Sequence, residues 1–175
     1  MNPYINIKEI LDRKVECAKV YWTTRVSGAM SKVLVTGSSG FIGRNVVRFL
    51  SKYGHQVMKF DLQCGKNICK VEDLNGVLIN NIGNIDCVIN LAARVSVSDS
   101  IINPDKTHEV NIDGTKNVIE FCKSNDIRLI HASSAAVYGS CEQMPLKEQQ
   151  AGDLQSPYAA SKWQNELDIR EASRD

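Results

Sequence analysis

Two side chains near the end of the chain are spaced for proton exchange. In Ser156-Pro-Tyr-Ala-Ala-Ser-Lys162 a proline sets the start of a helix, and Tyr158 and Lys162, four residues apart, then share one face. A lysine ammonium beside a phenol favours the phenolate, so such a tyrosine can take up and release a proton near neutral pH. Taken alone, the same spacing also fits an ordinary exposed helix face. A hydroxyl group joins the pair. Ser133-Ser134 follow an apolar strand pattern at residues 127–132, which places Ser134 just outside the carboxyl end of a strand, where open α/β sheets bind ligands.

These groups need a frame, and Thr36-Gly-Ser-Ser-Gly-Phe-Ile-Gly43 organises it. Val33, Leu34 and Val35 form an apolar, largely β-branched run that reads as a buried strand, and Thr36-Gly37 breaks it. Phe41, Ile42, Val46, Val47, Phe49 and Leu50 then recur at helical spacing. The glycines therefore lie where a strand feeds a helix N-terminus, and the unpaired N–H groups and dipole of that terminus suit a dinucleotide pyrophosphate. Gly37 allows the tight turn, Gly40 lets the pyrophosphate approach the backbone, and Gly43 brings helix close to strand. The spacing is G-x-x-G-x-x-G, which also fits a tight connection without a ligand. A second strand pattern, residues 56–60, ends on Asp61, 21 residues after Gly40. A carboxylate about 20 residues beyond the loop is placed to grip the adenosine ribose, although a solvated aspartate at a strand end would look alike. No Arg or Lys follows until Lys66, so nothing near Asp61 neutralises a 2′-phosphate, and NAD is expected rather than NADP.

The order from Met30 is strand, helix, strand, a less regular stretch, strand, helix, strand, helix. The later strands are expected at residues 86–92 and 127–132, with a short helix over 71–79 and longer ones over 104–123 and 158–172. Apolar strands alternating with helices imply an α/β fold with a parallel, doubly wound sheet covered on both faces. With 175 residues, 43% hydrophobic and 23% charged, residues 30–175 can form one domain with a real core. The net charge of +1 gives no general attraction to nucleic acid or to an anionic membrane. No apolar run is long enough to span a bilayer, and charges at Lys8, Glu9, Asp12 and Arg13 break any signal-peptide core. Cys17, Cys64, Cys69, Cys87, Cys122 and Cys141 show no metal-type spacing and are expected as free thiols in the cytoplasm.

Residues 1–29 stand apart. Ile7, Ile10, Leu11, Val15, Ala18, Tyr21 and Trp22 recur at helical spacing and predict an amphipathic extension, packed on the main domain or on another subunit, or forming a leader before Met30.

The motifs in combination resemble the extended short-chain dehydrogenase/reductase family, and within it the NAD-dependent epimerase/dehydratase branch that acts on nucleotide sugars. The resemblance runs from about residue 31 to 174. It rests on Thr36-Gly-Ser-Ser-Gly-Phe-Ile-Gly43, Leu91-Ala92-Ala93, Asn111-Ile-Asp-Gly-Thr115, Ser133-Ser-Ala-Ala-Val-Tyr-Gly139 and Ser156-Pro-Tyr-Ala-Ala-Ser-Lys162. It implies a Rossmann-type fold, and NAD bound by Gly37, Ser39, Gly40, Phe41, Ile42, Gly43, Asp61, Leu91, Ala92, Ala93, Asn111, Tyr158 and Lys162. It also implies catalysis by Ser134, Tyr158 and Lys162 on a UDP-hexose. Tyr158 would take the proton of the sugar C4 hydroxyl, Ser134 would hydrogen-bond that oxygen, and Lys162 would hold the nicotinamide ribose and keep Tyr158 acidic. Asn111 would help order the site. Members of the family commonly pair as homodimers through the helices over 104–123 and 158–172.

Departures from the family pattern narrow the expectation. Dehydratases carry an acidic pair after the active-site hydroxyl residue, whereas Ala135-Ala136 stand here. The Asp-Ile or Asp-Leu pair that contacts adenine is matched only by Asn67-Ile68. Relatives also continue into a C-terminal substrate lobe, so the sheet is expected to be cut short before it. A 4-epimerase-type domain is the resulting expectation, with a 4-keto-sugar reductase or a non-catalytic NAD-binding fragment as alternatives.

Overall fold

The computed structural model describes residues 30–80, 85–140, 145–147 and 154–173. Four parallel strands, β1 (Lys32–Thr36), β2 (Gln56–Phe60), β3 (Cys87–Asn90) and β4 (Arg128–His131), form one sheet in the order β2-β1-β3-β4. The chain leaves β1 toward one side to reach β2 and crosses back to the other for β3. The carboxyl ends of β1 and β3 therefore flank the point where strand order reverses, and a crevice opens there. β1 lies inside the sheet, which is why Val33, Leu34 and Val35 form an uninterrupted apolar run without exposure.

Helix α1 (Phe41–Lys52) follows β1, α2 (Val71–Asn80) follows β2, and α5 (Gly114–Ser124) follows β3 after shorter pieces. Leu34 and Val88, paired in register, pack with Phe60, Leu74, Val118 and Phe121 in the main core. Burying each such side chain contributes about 1.5–3 kcal/mol. Gly114 allows α5 to close on this core, since a Cβ there would lie 2.8 Å from Ile68 Cδ1.

Two elements differ from expectation. The single helix foreseen over 104–123 is α4 (Pro104–His108), a π-turn at Glu109–Asp113 and α5. The wider turn holds Asn111 fully buried in its middle. A six-residue helix, α3 (Val97–Ile102), precedes it and is too short to show periodicity. It starts on Ser96, whose Oγ accepts the Asp99 N–H at 3.1 Å. Two expected strands are shorter than the apolar runs that encode them. Beyond Asn90, Leu91 and Ala92 donate their N–H groups to Thr36 Oγ1, both at 3.2 Å, while the Ile127 N–H bonds Cys122 O at 2.9 Å and closes the turn after α5. Helix α6 (Pro157–Ala172) completes the described chain. The amphipathic extension expected over 1–29 lies outside the described residues.

Candidate functional site

The turn after β1 is built so that only glycine fits. Gly37 has φ +64°, and a Cβ on it would lie 2.7 Å from both Ala92 N and Leu91 C. The glycine turn thus packs directly on the segment leaving β3. A Cβ on Gly43 would lie 2.1 Å from Gly37 O and 2.8 Å from Ser38 Cα, so this glycine seats α1 on the turn itself rather than on the strand. Gly40 stands at the N-cap of α1 in an extended conformation and offers no side-chain cap, and the first turn carries no acidic residue. The N–H groups of the first turn of α1 remain for an anion. Ser38 Oγ, buried within the same turn, has no protein partner. This cradle fits a pyrophosphate.

Asp61 closes one flank. Its Oδ2 accepts the Ser39 N–H at 3.0 Å and its Oδ1 accepts the Gln63 N–H at 3.0 Å, starting the short turn Leu62–Cys64. Gly65, at φ +69°, then folds the chain back so that Lys66 reaches the wall of the crevice. Sequence distance hid that position. Asn67 and Ile68 follow on the same wall, and Asn67 Oδ1 is engaged by the Cys69 N–H at 3.0 Å.

The crevice is a cavity of about 640 Å³. It runs from Gly37, Gly40, Phe41, Ile42, Gly43 and Asp61, past Leu91, Ala92 and Ala93, to Tyr158 and Lys162. Lys162 is only 3% exposed and donates from Nζ to Ala132 O at 3.0 Å. Burial pulls its pKa down to about 8. Ser156 Oγ caps α6 by accepting the Ala159 N–H at 3.1 Å, and the Tyr158 N–H donates to Ser100 Oγ at 3.2 Å, so α3 fixes the start of the helix that carries both residues.

Three expected site residues do not line the cavity. Ser39 touches it only through Asp61. Ser134 accepts the Ala136 N–H at 3.2 Å and caps the turn Ala135–Tyr138, while its neighbour Ser133 lines the wall and donates to Glu166 Oε1 at 2.5 Å. Asn111 has all its polar capacity engaged. Its Oδ1 accepts the Arg94 N–H at 2.8 Å, and its Nδ2 donates to Arg94 O and to Ser161 Oγ, both at 3.0 Å. It joins the segment after β3 to α6, an ordering role rather than a direct contact with a ligand. Arg94, which sequence reasoning passed over, lines the cavity and pairs with Asp99, whose carboxyl it holds below the usual range by hydrogen bonding. Its position just past a strand end was the available signal. Among the described residues, no group of three or more His, Cys, Asp or Glu side chains could hold a metal ion, and no helix is long and apolar enough to cross a membrane.

The arrangement offers an anion cradle and a carboxylate at one end and a tyrosine with a buried lysine at the other. Known proteins resemble the chain in sequence and in fold. The sequence model of the NAD dependent epimerase/dehydratase family matches residues 33–175. A UDP-glucose 4-epimerase of Neisseria meningitidis serogroup C is 32% identical over 154 residues, covering 76% of this chain and 45% of the relative. Protein CapI of Staphylococcus aureus is 35% identical over 161 residues, 78% of this chain and 48% of its own length. Among solved structures, the Thermus thermophilus UDP-glucose 4-epimerase in complex with NAD superposes with a TM-score of 0.75 at 29% identity, over 82% of this chain and 51% of that one. The Thermotoga maritima UDP-glucose 4-epimerase with UDP-glucose gives 0.77 at 25% identity, over 82% and 52%. The chain spans about half the length of the curated relatives it matches.

Proposed function

Because the chain belongs to the NAD dependent epimerase/dehydratase family, we propose that it is the cofactor-binding part of a nucleotide-sugar epimerase of the UDP-hexose 4-epimerase type. The observation that carries this reading is the single cavity reaching from the glycine turn and Asp61 to Tyr158 and Lys162. NAD, when bound, would supply hydride chemistry at the sugar C4. Its pyrophosphate would rest on the N-terminus of α1, and Asp61 would take the adenosine ribose. Tyr158 would remove the C4 hydroxyl proton and later return it, with the Lys162 charge favouring the phenolate. Ser134 lies just behind the cavity wall formed by Ser133 and accepts the Ala136 N–H with a lone pair; its hydroxyl hydrogen would turn to the substrate oxygen once substrate is bound. Asn111 would keep Arg94 and α6 in place around these groups.

The four described cysteines, Cys64, Cys69, Cys87 and Cys122, are free thiols, which supports action in the reducing cytoplasm. Pairing of two copies through the helical stretch 104–123 and α6 belongs to the same reading, supported by Leu167, which is 39% exposed on α6. Sedimentation of the chain at increasing concentration tests it.

Calorimetric titration with NAD and with NADP tests the cofactor assignment. NAD binding that weakens in Asp61→Ala supports it, and no heat from either dinucleotide overturns it. Interconversion of UDP-galactose and UDP-glucose, followed by NMR, tests the reaction. Tyr158→Phe should then slow turnover by about 10²- to 10⁴-fold. NAD binding without interconversion would leave the binding-only reading.

A further inference from the structure

Beneath the cavity lies a chain of buried polar groups that links the sheet to α6. Thr36 Oγ1 accepts the N–H groups of Leu91 and Ala92, both at 3.2 Å, so its lone pairs are occupied and its own hydrogen goes to Asn90 Oδ1, 2.5 Å away. That bond fixes the orientation of the Asn90 amide. Its Nδ2 must donate, and it faces Thr115 Oγ1 at 3.4 Å and His131 Nδ1 at 3.2 Å. A ring nitrogen that accepts leaves the other to carry the hydrogen, so the neutral His131 ring is protonated on Nε2.

The far end then has one consistent arrangement. The Asn165 amide lies 3.4 Å from His131 Nε2, and with its NH₂ turned toward the ring two donors would meet while Asn165 Oδ1 stays buried without a partner. Turned about its axis, the amide presents Oδ1 to the Nε2–H, which removes the meeting of two donors and gives the oxygen a partner. Asn90, Asn165 and Thr36 are fully buried, so every polarity error along this line would be costly.

We propose that His131, held as the Nε2–H tautomer between Asn90 and Asn165, is a positioning residue that sets Lys162 against the carboxyl ends of β3 and β4. The line runs in one direction, from Leu91 and Ala92 on the cavity wall through Thr36, Asn90 and His131 to Asn165. Asn165 is one helical turn from Lys162 on the buried side of α6. Lys162 itself bonds to the carbonyl of Ala132, the residue after His131. A neutral ring suits this place, because burial and the adjacent Lys162 charge together push the pKa of His131 down to about 4. The inference concerns the geometry of Lys162, and its value for cofactor binding rests on the function proposed above.

Long-range proton–nitrogen NMR of the whole chain, with histidine labelled and His131 assigned through His131→Gln, reads the tautomer directly. The Nε2–H form at pH 7 is expected; the Nδ1–H form or an imidazolium overturns the proposal. Amine acetylation read by peptide mass spectrometry reports the position of Lys162 without any ligand. Gln can accept from Asn90 and donate to Asn165, so His131→Gln should keep Lys162 as protected as in the parent chain, whereas His131→Phe should label it about tenfold faster while other lysines keep their rates. Equal labelling of Lys162 in the folded Phe variant overturns the proposal. If that variant does not fold, Asn165→Leu replaces it with the same expectations. NAD affinity should follow the same order, His131→Gln near the parent and His131→Phe about tenfold weaker. Failure of the parent chain to bind NAD would count against the proposed function alone, since the tautomer and labelling results do not depend on it.

Discussion

Asp61 Oδ2 accepts the backbone N–H of Ser39 at 3.0 Å, tying the end of β2 to the middle of the glycine turn across 22 residues. The carboxylate therefore shapes the cradle before any ligand arrives. A hydrogen bond to a charged group contributes about 1.5–3 kcal/mol, so Asp61→Ala should weaken NAD binding by about tenfold or more. Lys66 already lies in the cavity wall, and removing the Asp61 carboxylate takes a negative charge from the same wall. The same variant is expected to bring NADP closer to NAD in affinity, measured by parallel calorimetric titrations. An unchanged ratio of the two affinities would show that Asp61 does not set the preference.

Gly37→Ala combines two faults. The residue would need φ +64°, and its Cβ would meet the Leu91–Ala92 backbone at 2.7 Å. Left-handed strain and overpacking each cost about 1–3 kcal/mol, which predicts a loss of about 2–6 kcal/mol in urea unfolding. Replacement of Gly65, which also has positive φ but nothing within 4 Å of the added Cβ, should cost only the strain.

Lys162→Met should be more stable than the parent chain, in a pH-dependent way. The folded lysine has a pKa of about 8 against an ordinary 10.5, so between those values the unfolded chain holds a proton that the folded chain has released. Parent stability therefore rises with pH through that window, and the full burial cost is present below it. Allowing for the lost bond to Ala132 O, the variant should gain about 2 kcal/mol at pH 7, with the gain fading by about pH 10.5. Urea unfolding of both proteins at the two pH values measures it.

Asn111→Ala leaves the Arg94 N–H and C=O without their partner inside the protein and removes the donor to Ser161 Oγ, which keeps its own bond to Tyr158 O at 2.7 Å. A stability loss of about 2–4 kcal/mol is expected from chemical denaturation. Asn111→Asp keeps the acceptor but loses both donors, so it should recover little of that loss.

The sequence made legible whatever was written in apolar periodicity or in glycine. β1, the turn and α1 follow from Val33, Leu34 and Val35, from Gly37 and Gly43, and from the apolar face beyond them, because each of those residue types is dictated by burial or by close approach. The inner side of α6 was not legible in that way. Its most buried residues include Ser161, Lys162 and Asn165, polar side chains that a periodicity argument assigns to solvent. Their partners, Asn111 on the π-turn and His131 on β4, come from distant parts of the chain, so only the folded arrangement reveals why they are inside. Lys66 and Arg94 were missed for a related reason, since a turn and a strand end carry them to the cavity and neither has a periodic signature.

Among the described residues, β4 is paired along one side only, with β3, and Ile130 on it is 38% exposed. Its other side offers a row of backbone donors and acceptors to any extended segment that meets it. The consequence is colloidal. In concentrated stocks the strand is a template on which a second copy can add, and Arg128, exposed at its start, is the strand's own charged safeguard. A further charge at Ile130 would keep the chain dispersed without touching the crevice on which the chemistry depends.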